Sequence, residues 1–152
     1  MLFLAFLCLC GCATTDVKKI SCTSRFYVEN EDCGGAIAKL PISGVEIHVF
    51  SQPIFTEFDI DSAELRDGLG GKIIVFRMDE RAAYDLFSTS VMHANKRVVL
   101  ECNGEVVGLT TFSSSMTDAV IIIYPERTDA ELADLIAKIN DTAAAVKKIK
   151  KN

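Results

Sequence analysis

The dipeptide Asn103-Gly104, set between two apolar stretches, is the feature that most constrains the fold of this chain. Asn-Gly is the strongest short signal for a two-residue hairpin, because both positions accept the positive φ angles that such a turn requires. The flanking stretches 96–102 and 105–111 therefore predict two strands that pair with each other. A turn this tight joins only antiparallel strands, so the sheet is expected to be mainly antiparallel.

The rest of the chain adds further strands and two helices. Alternating or continuous apolar runs predict strands at 45–50, 62–66, 72–78 and 118–124. Apolar residues at helical spacing predict one helix over 80–93, with Asp79 as its N-cap, and a second after the capping pair Thr128 and Glu131. The order β-β-β-α-β-β-β-α predicts an α+β fold, a mainly antiparallel sheet with two amphipathic helices packed on one face.

Length and charge restrict the class of protein. The chain has 152 residues, of which 49% are hydrophobic, and this is typical of one globular domain. The formal net charge of -5 repels phosphate backbones. We therefore expect no nucleic acid among its partners.

The N-terminal run 1–11 is uncharged and apolar, and it is shorter than a transmembrane helix requires. It is typical of the apolar part of a secretory signal peptide, although an N-terminal core strand is the alternative. The sequence Leu9-Cys10-Gly11-Cys12 resembles the lipobox of bacterial lipoproteins. The resemblance implies cleavage after Gly11 and attachment of fatty chains such as palmitate to the Cys12 thiol, which makes membrane lipid a partner.

This leader divides the chain into a signal peptide at 1–11, a lipidated tether and N-terminal segment at 12–44, and an α+β domain at 45–152. The domain is expected to face the periplasm of the cell envelope, anchored to a membrane. Ala13 and Thr14 lack the aspartate that holds enteric lipoproteins at the inner membrane, which favours the outer membrane.

Three cysteines remain after the lipidated one. Cys22 and Cys33 flank a short, mostly polar segment, and an exported domain meets an oxidising compartment, so a Cys22–Cys33 disulfide is predicted. The alternative is that this region is loose and both thiols are free. Cys102 falls in a predicted strand, and there it is interpreted as a small buried hydrophobe rather than a nucleophile.

The order and spacing of several short motifs resemble a known module over residues 45 to about 140. The motifs are Pro53-Ile54-Phe55-Thr56, Asp59-Ile60, Ile73-Ile74-Val75-Phe76, Ala82-Ala83-Tyr84-Asp85-Leu86-Phe87, Lys96-Arg97-Val98-Val99-Leu100 and Asn103-Gly104-Glu105-Val106-Val107. They are similar to the head subdomain in the first periplasmic domain of SecD, the protein-export accessory subunit. The resemblance implies the fold and a habit of contacting polypeptides. It does not imply export activity, since the proton-driven transmembrane helices of SecD have no counterpart here.

The sequence contains no recognisable catalytic motif, so we expect no enzyme, no catalytic residues, no cofactor and no metal. The predicted function is a lipid-anchored envelope protein of binding type. It would present a sheet edge, or the groove between its helices, to an envelope polypeptide. The alternative is a small envelope hydrolase or divalent-metal-binding protein that uses His48 and the acidic run at 57–67. The carboxylates of that run are Glu57, Asp59, Asp61, Glu64 and Asp67.

Overall fold

A computed structural model of the chain describes residues 20–113 and 116–151. The predicted leader at 1–11 and Cys12 lie outside these residues. The described strands are β1 (Ser24–Val28), β2 (Ala36–Lys39), β3 (Glu46–Val49), β4 (Ile60–Gly68), β5 (Gly71–Met78), β6 (Arg97–Cys102), β7 (Glu105–Thr111) and β8 (Val120–Pro125). The helices are α1 (Glu80–Met92) and α2 (Asp129–Lys151), with a 3-10 turn at Glu57–Asp59 before β4.

The main sheet has six strands in the order β1-β6-β7-β8-β5-β4, and every neighbouring pair is antiparallel. Residues of both helices join the same core as one face of this sheet, which confirms the predicted α+β architecture. Phe26, Phe76 and Leu86 are completely buried there, and the rings of Phe26 and Phe76 meet edge to face at 5.1 Å between centroids. These buried side chains supply the largest part of the driving force for folding.

The predicted local signals set the helix and turn boundaries. The Asp79 carboxylate accepts a hydrogen bond from the backbone N–H of Ala82 at 2.8 Å, as an N-cap residue should. At the start of α2, Thr128 and Glu131 form the expected reciprocal capping pair. The β6–β7 hairpin turns at Asn103 and Gly104, whose φ angles are 52° and 83°. No helix of the described residues is both long and apolar enough to cross a membrane.

The segment before residue 45 belongs to the folded body to a larger extent than its polar sequence indicates. Strand β1 lies at the edge of the main sheet, with Phe26 opposite Leu100 of β6. Strands β2 and β3 form a separate hairpin on the sheet face that the helices leave free, where Ala38, Leu40, Ile47 and Val49 pack on Val99. Five strands rather than three therefore precede α1. The sequence predicts β2 poorly because only one of its four residues is buried.

The main sheet has a narrow seam between β7 and β8. Those two strands share only the pairs Gly108↔Pro125 and Leu109↔Tyr124, whereas β5 and β8 share four pairs. A Cβ atom at Gly108 would lie 2.2 Å from the Tyr124 carbonyl oxygen, so the close approach of the two backbones at the seam depends on glycine.

Candidate functional site

Strand β2 pairs with β3 on one side, and its other edge pairs with no strand of the described residues. In the β2–β3 ladder, the N–H of Leu40 donates to the carbonyl of Val45 at 2.9 Å. With the register of the two strands, this bond determines which backbone N–H and C=O groups of β2 point towards β3. By alternation, the backbone N–H and C=O groups of Ile37 and Lys39 point away from β3. Among the described residues these groups have no hydrogen-bond partner. The edge therefore offers two donors and two acceptors to an added strand.

Below this edge runs a groove of about 390 Å³ between the hairpin and the outer face of the main sheet. Its floor is apolar and consists of Val99, which is buried, and of Tyr27 and Val106, which are partly buried. Glu101 lines the groove as its acidic member. An extended chain that paired with Ile37 and Lys39 would place alternate side chains on this floor.

The hairpin that carries the edge is fixed at both ends. One oxygen of the Glu126 carboxylate accepts hydrogen bonds from the N–H groups of Ile42 and Ser43, at 2.9 and 2.8 Å. Burial works against ionisation, but these N–H donors hold the pKa of Glu126 below its ordinary range. At the other end Gly35 has φ +91°, and a Cβ there would lie 2.2 Å from the Val49 carbonyl oxygen. The backbone at both ends of the hairpin is therefore fixed in position.

The two edges of the main sheet are less available. The N–H of Phe26 in β1 donates to the Phe55 carbonyl, and its own carbonyl accepts from Ile54, at 2.9 and 2.8 Å. At β4, the Asn140 side chain accepts from the N–H of Ala63 and donates to its C=O, both at 2.9 Å. Asn140 thus takes the place of a neighbouring strand along part of that edge, whose remainder carries charged side chains of the kind that discourage strand addition.

The groove between the helices is a shallow, charged hollow at the first turn of α1 and the last turn of α2. Its lining consists of Asp79, Glu80, Arg81, Tyr84 and Lys150. The Lys150 ammonium lies 2.6 Å from the Asp79 carboxylate and closes the space between the two helices. Burial opposes ionisation here, but the backbone N–H of Ala82 and the ammonium of Lys150 keep the pKa of Asp79 below its ordinary value. Of the two predicted docking places, the sheet edge has the better geometry.

The acidic run does not converge on one point. Asp61 pairs with Lys147 at 2.7 Å, Glu64 with Arg66 at 2.5 Å, and Asp67 with Lys72 at 2.6 Å. Asp59 is used in a capping box with Thr56, and Glu57 is buried. Residues 20–113 and 116–151 contain no group of three metal-ligating side chains, and His48 lies away from the run in β3.

Cys22, Cys33 and Cys102 all carry free thiols, so the structure contains no bridge between Cys22 and Cys33. Cys22 is buried two residues before β1, whereas Cys33 is exposed in the turn beyond the other end of that strand. The five extended residues of β1 alone span roughly 16 Å, whereas a disulfide needs Cα atoms within about 7 Å. Cys102 is 5% exposed in β6, at the buried position that its sequence context indicates.

Comparison with known proteins identifies the fold. A solved structure of a membrane component SecDF that enhances protein export matches 80% of this chain and 63% of that chain, at 12% identity and a TM-score of 0.62. SecDF in a super-membrane-facing form gives the same identity and TM-score over 19% of its length. SecDF from Thermus thermophilus, a translocon-associated membrane protein, matches 84% of this chain and 20% of its own at a TM-score of 0.53.

These structures confirm the resemblance to the SecD head at the level of the fold. The chain spans less than two thirds of the shortest of the three, 63%, and about a fifth of the two longer ones. No family model and no curated protein matches the sequence.

Proposed function

We propose that this chain is a non-catalytic binding protein of the cell envelope that holds extended polypeptide segments at the free edge of β2. The observation that carries the proposal is the pair of outward-facing backbone positions, Ile37 and Lys39, directly above an apolar groove. Strand addition obtains affinity from main-chain hydrogen bonds and selectivity from the alternate side chains that enter the groove. The occupant would be an unfolded or extended segment with apolar residues at every second position.

The charge of the protein favours basic segments. The formal net charge is -5, and of the two charged residues that line the groove, Glu101 and Lys39, the lysine already pairs with Glu46 at 3.4 Å. Electrostatic attraction of this kind increases the rate of encounter more than the final affinity. We therefore expect binding to weaken as salt concentration rises, mainly through slower association.

Proline at position 37 tests the role of the edge. Ile37→Pro removes one outward-facing N–H, and the Ala38 donor that serves β3 is retained. Loss of one main-chain hydrogen bond is expected to weaken binding about fivefold to tenfold. The probe is a fluorescein-labelled peptide of alternating valine and lysine, and the readout is fluorescence anisotropy with the full chain.

Ile37→Ala is the matched control, because it keeps the N–H and removes only an exposed side chain. Its affinity should stay close to that of the unchanged protein. A second control is the same peptide with alternate backbone nitrogens methylated. It should not bind, because it lacks the N–H donors that strand pairing requires. Equal affinity of the proline and alanine variants would show that the β2 edge is not the binding site.

The proposal includes a membrane anchor at Cys12, with the outer membrane as the favoured location. The stretch from Cys12 to Cys22 reaches at most roughly 35 Å, so a bound polypeptide would be held close to the bilayer. Labelled palmitate should be incorporated in cells, and Cys12→Ala should abolish incorporation. Unchanged labelling of that variant, with Cys33→Ala as the matched control, would remove the anchor from the proposal.

A further inference from the structure

Two cysteines far apart in the sequence meet on one face of the main sheet. Ser24 of β1 lies opposite Cys102 of β6, and Cys22 precedes Ser24 by two residues, so all three side chains lie on the same face. The Ser24 hydroxyl lies 3.7 Å from the Cys22 sulfur and 3.6 Å from the Cys102 sulfur. The two thiols are therefore diagonal neighbours across an antiparallel pair of strands.

Both sulfurs are withdrawn from solvent. Cys22 is completely buried and Cys102 is 5% exposed. Cys102 also lines a cavity of about 320 Å³ between the β6–β7 hairpin and α2. A bond between these sulfurs would be protected from reduction once the domain has folded.

Cys22 stands before β1 and outside its ladder, so its side chain can rotate without breaking a strand pair. Its N–H donates to the Thr142 hydroxyl at 3.1 Å, which attaches this segment to α2. On the other side, the Thr23 N–H donates to the Asn103 side-chain oxygen and the Thr23 carbonyl accepts from the Asn103 N–H, both at 2.9 Å. These bonds hold the backbone beside Cys22 next to the residue that follows Cys102.

The two thiols have unequal acidity. The neighbouring Cys102 thiol and the Ser24 hydroxyl lower the pKa of Cys22, although burial works in the opposite direction. The neighbouring Cys22 thiol and burial raise the pKa of Cys102. A thiol with a lowered pKa supplies more of the thiolate that attacks a disulfide.

We propose that Cys22 and Cys102 form a disulfide that ties β1 and the start of the folded body to β6. The oxidant is a disulfide-containing molecule, a thiol–disulfide oxidoreductase in the envelope or oxidised glutathione in vitro. A cysteine thiolate attacks one sulfur of the oxidant to give a mixed disulfide, and one thiol leaves. The second cysteine, as its thiolate, then attacks the protein sulfur of the mixed disulfide and releases the second thiol. The protein loses two protons and two electrons, and the oxidant gains them.

Trypsin places the relevant cysteines on separate peptides, which allows a direct test. Cleavage after lysine and arginine leaves Cys22 on 20–25, Cys33 on 26–39 and Cys102 on 98–127, with the remaining cysteines on 1–18. The purified full chain is incubated with oxidised glutathione, quenched in acid, alkylated in urea and digested without reductant. Mass spectrometry should recover most of 20–25 linked to 98–127 and disappearing on reduction.

Two variants fix the interpretation. Cys33→Ser should leave the linked pair unchanged, and Cys22→Ser should leave 98–127 carrying the alkyl label. Recovery of 20–25 linked to 26–39, or of 20–25 and 98–127 both alkylated after oxidation, would overturn the proposal. The unfolding midpoint supplies a second measurement, since oxidation should raise it in the unchanged chain and in Cys33→Ser but not in Cys22→Ser. These tests use purified protein, so their outcome is independent of the peptide-binding function and of the envelope location.

Discussion

Replacement of Asn140 by alanine tests whether a helix side chain stabilises the edge of the sheet. The Asn140 amide exchanges two hydrogen bonds of 2.9 Å with the backbone of Ala63, a residue that is 3% exposed. The substitution leaves an N–H and a C=O of β4 without their partner. It also removes the only described side chain that hydrogen-bonds to this part of the β4 backbone.

The expected loss follows from these two bonds. An unpaired buried backbone group costs about 1–3 kcal/mol, and the low end applies because the partly exposed position of Asn140 admits water. Two groups therefore cost about 2 kcal/mol. Alanine is the better helix former by about 0.5 kcal/mol, so the net destabilisation of Asn140→Ala is about 1.5 kcal/mol. For a domain of this size, that corresponds to a fall in Tm of roughly 5 °C.

Urea unfolding followed by circular dichroism measures the effect, and Asp141→Ala is the matched control. Asp141 is the next residue of α2, is exposed, and makes no side-chain hydrogen bond to another described residue. Its replacement should raise stability by a few tenths of a kcal/mol through helix propensity alone. Unfolding of the two variants at the same urea concentration would show that the Asn140 amide does not stabilise the edge.

Two further substitutions test the backbone approach at the seam and an ion pair at the end of β1. Gly108→Ala should cost about 3 kcal/mol or more in urea unfolding, because its Cβ would lie 2.2 Å from the Tyr124 carbonyl oxygen, whereas Gly70→Ala, with open space around it, should cost little. Hydrogen bonds from Arg97 hold the pKa of Glu29 below its ordinary value, so ionised Glu29 stabilises the folded state. This contribution to the free energy of unfolding is present above about pH 4.3 and is lost as pH falls through the folded-state pKa. Glu29→Gln should therefore be less stable than the unchanged chain at pH 6, with the gap narrowing on acidification; a gap that stays constant with pH would refute the ion pair.

The elements with strong local signals could be predicted from the sequence. Asp79 and the pair Thr128 and Glu131 mark helix starts through side-chain hydrogen bonds that reach only three residues along the chain. The Asn103-Gly104 turn is equally local. Because the cause of each structure lies within a few residues, sequence alone was sufficient for the strand and helix order from 45 onwards.

The candidate site could not be predicted because it depends on contacts between distant segments. The groove requires β2 to lie over Val99, and nothing within Ala36–Lys39 specifies which sheet face the hairpin covers. The cysteines show the same limit. A short loop favoured Cys22 with Cys33, but the extended backbone of β1 separates these two and brings Cys22 to Cys102.

The narrow seam between β7 and β8 divides the main sheet into two halves, β1-β6-β7 and β8-β5-β4, and α2 contacts both of them. On one side of the seam the α2 segment Asp134–Lys138 borders the cavity beside the β6–β7 hairpin, and further along α2 packs against β4. With two pairs in the ladder, the strands alone resist twisting of one half against the other only weakly. Shortening α2 from its C-terminal end would therefore loosen the angle between the halves before it melted either of them.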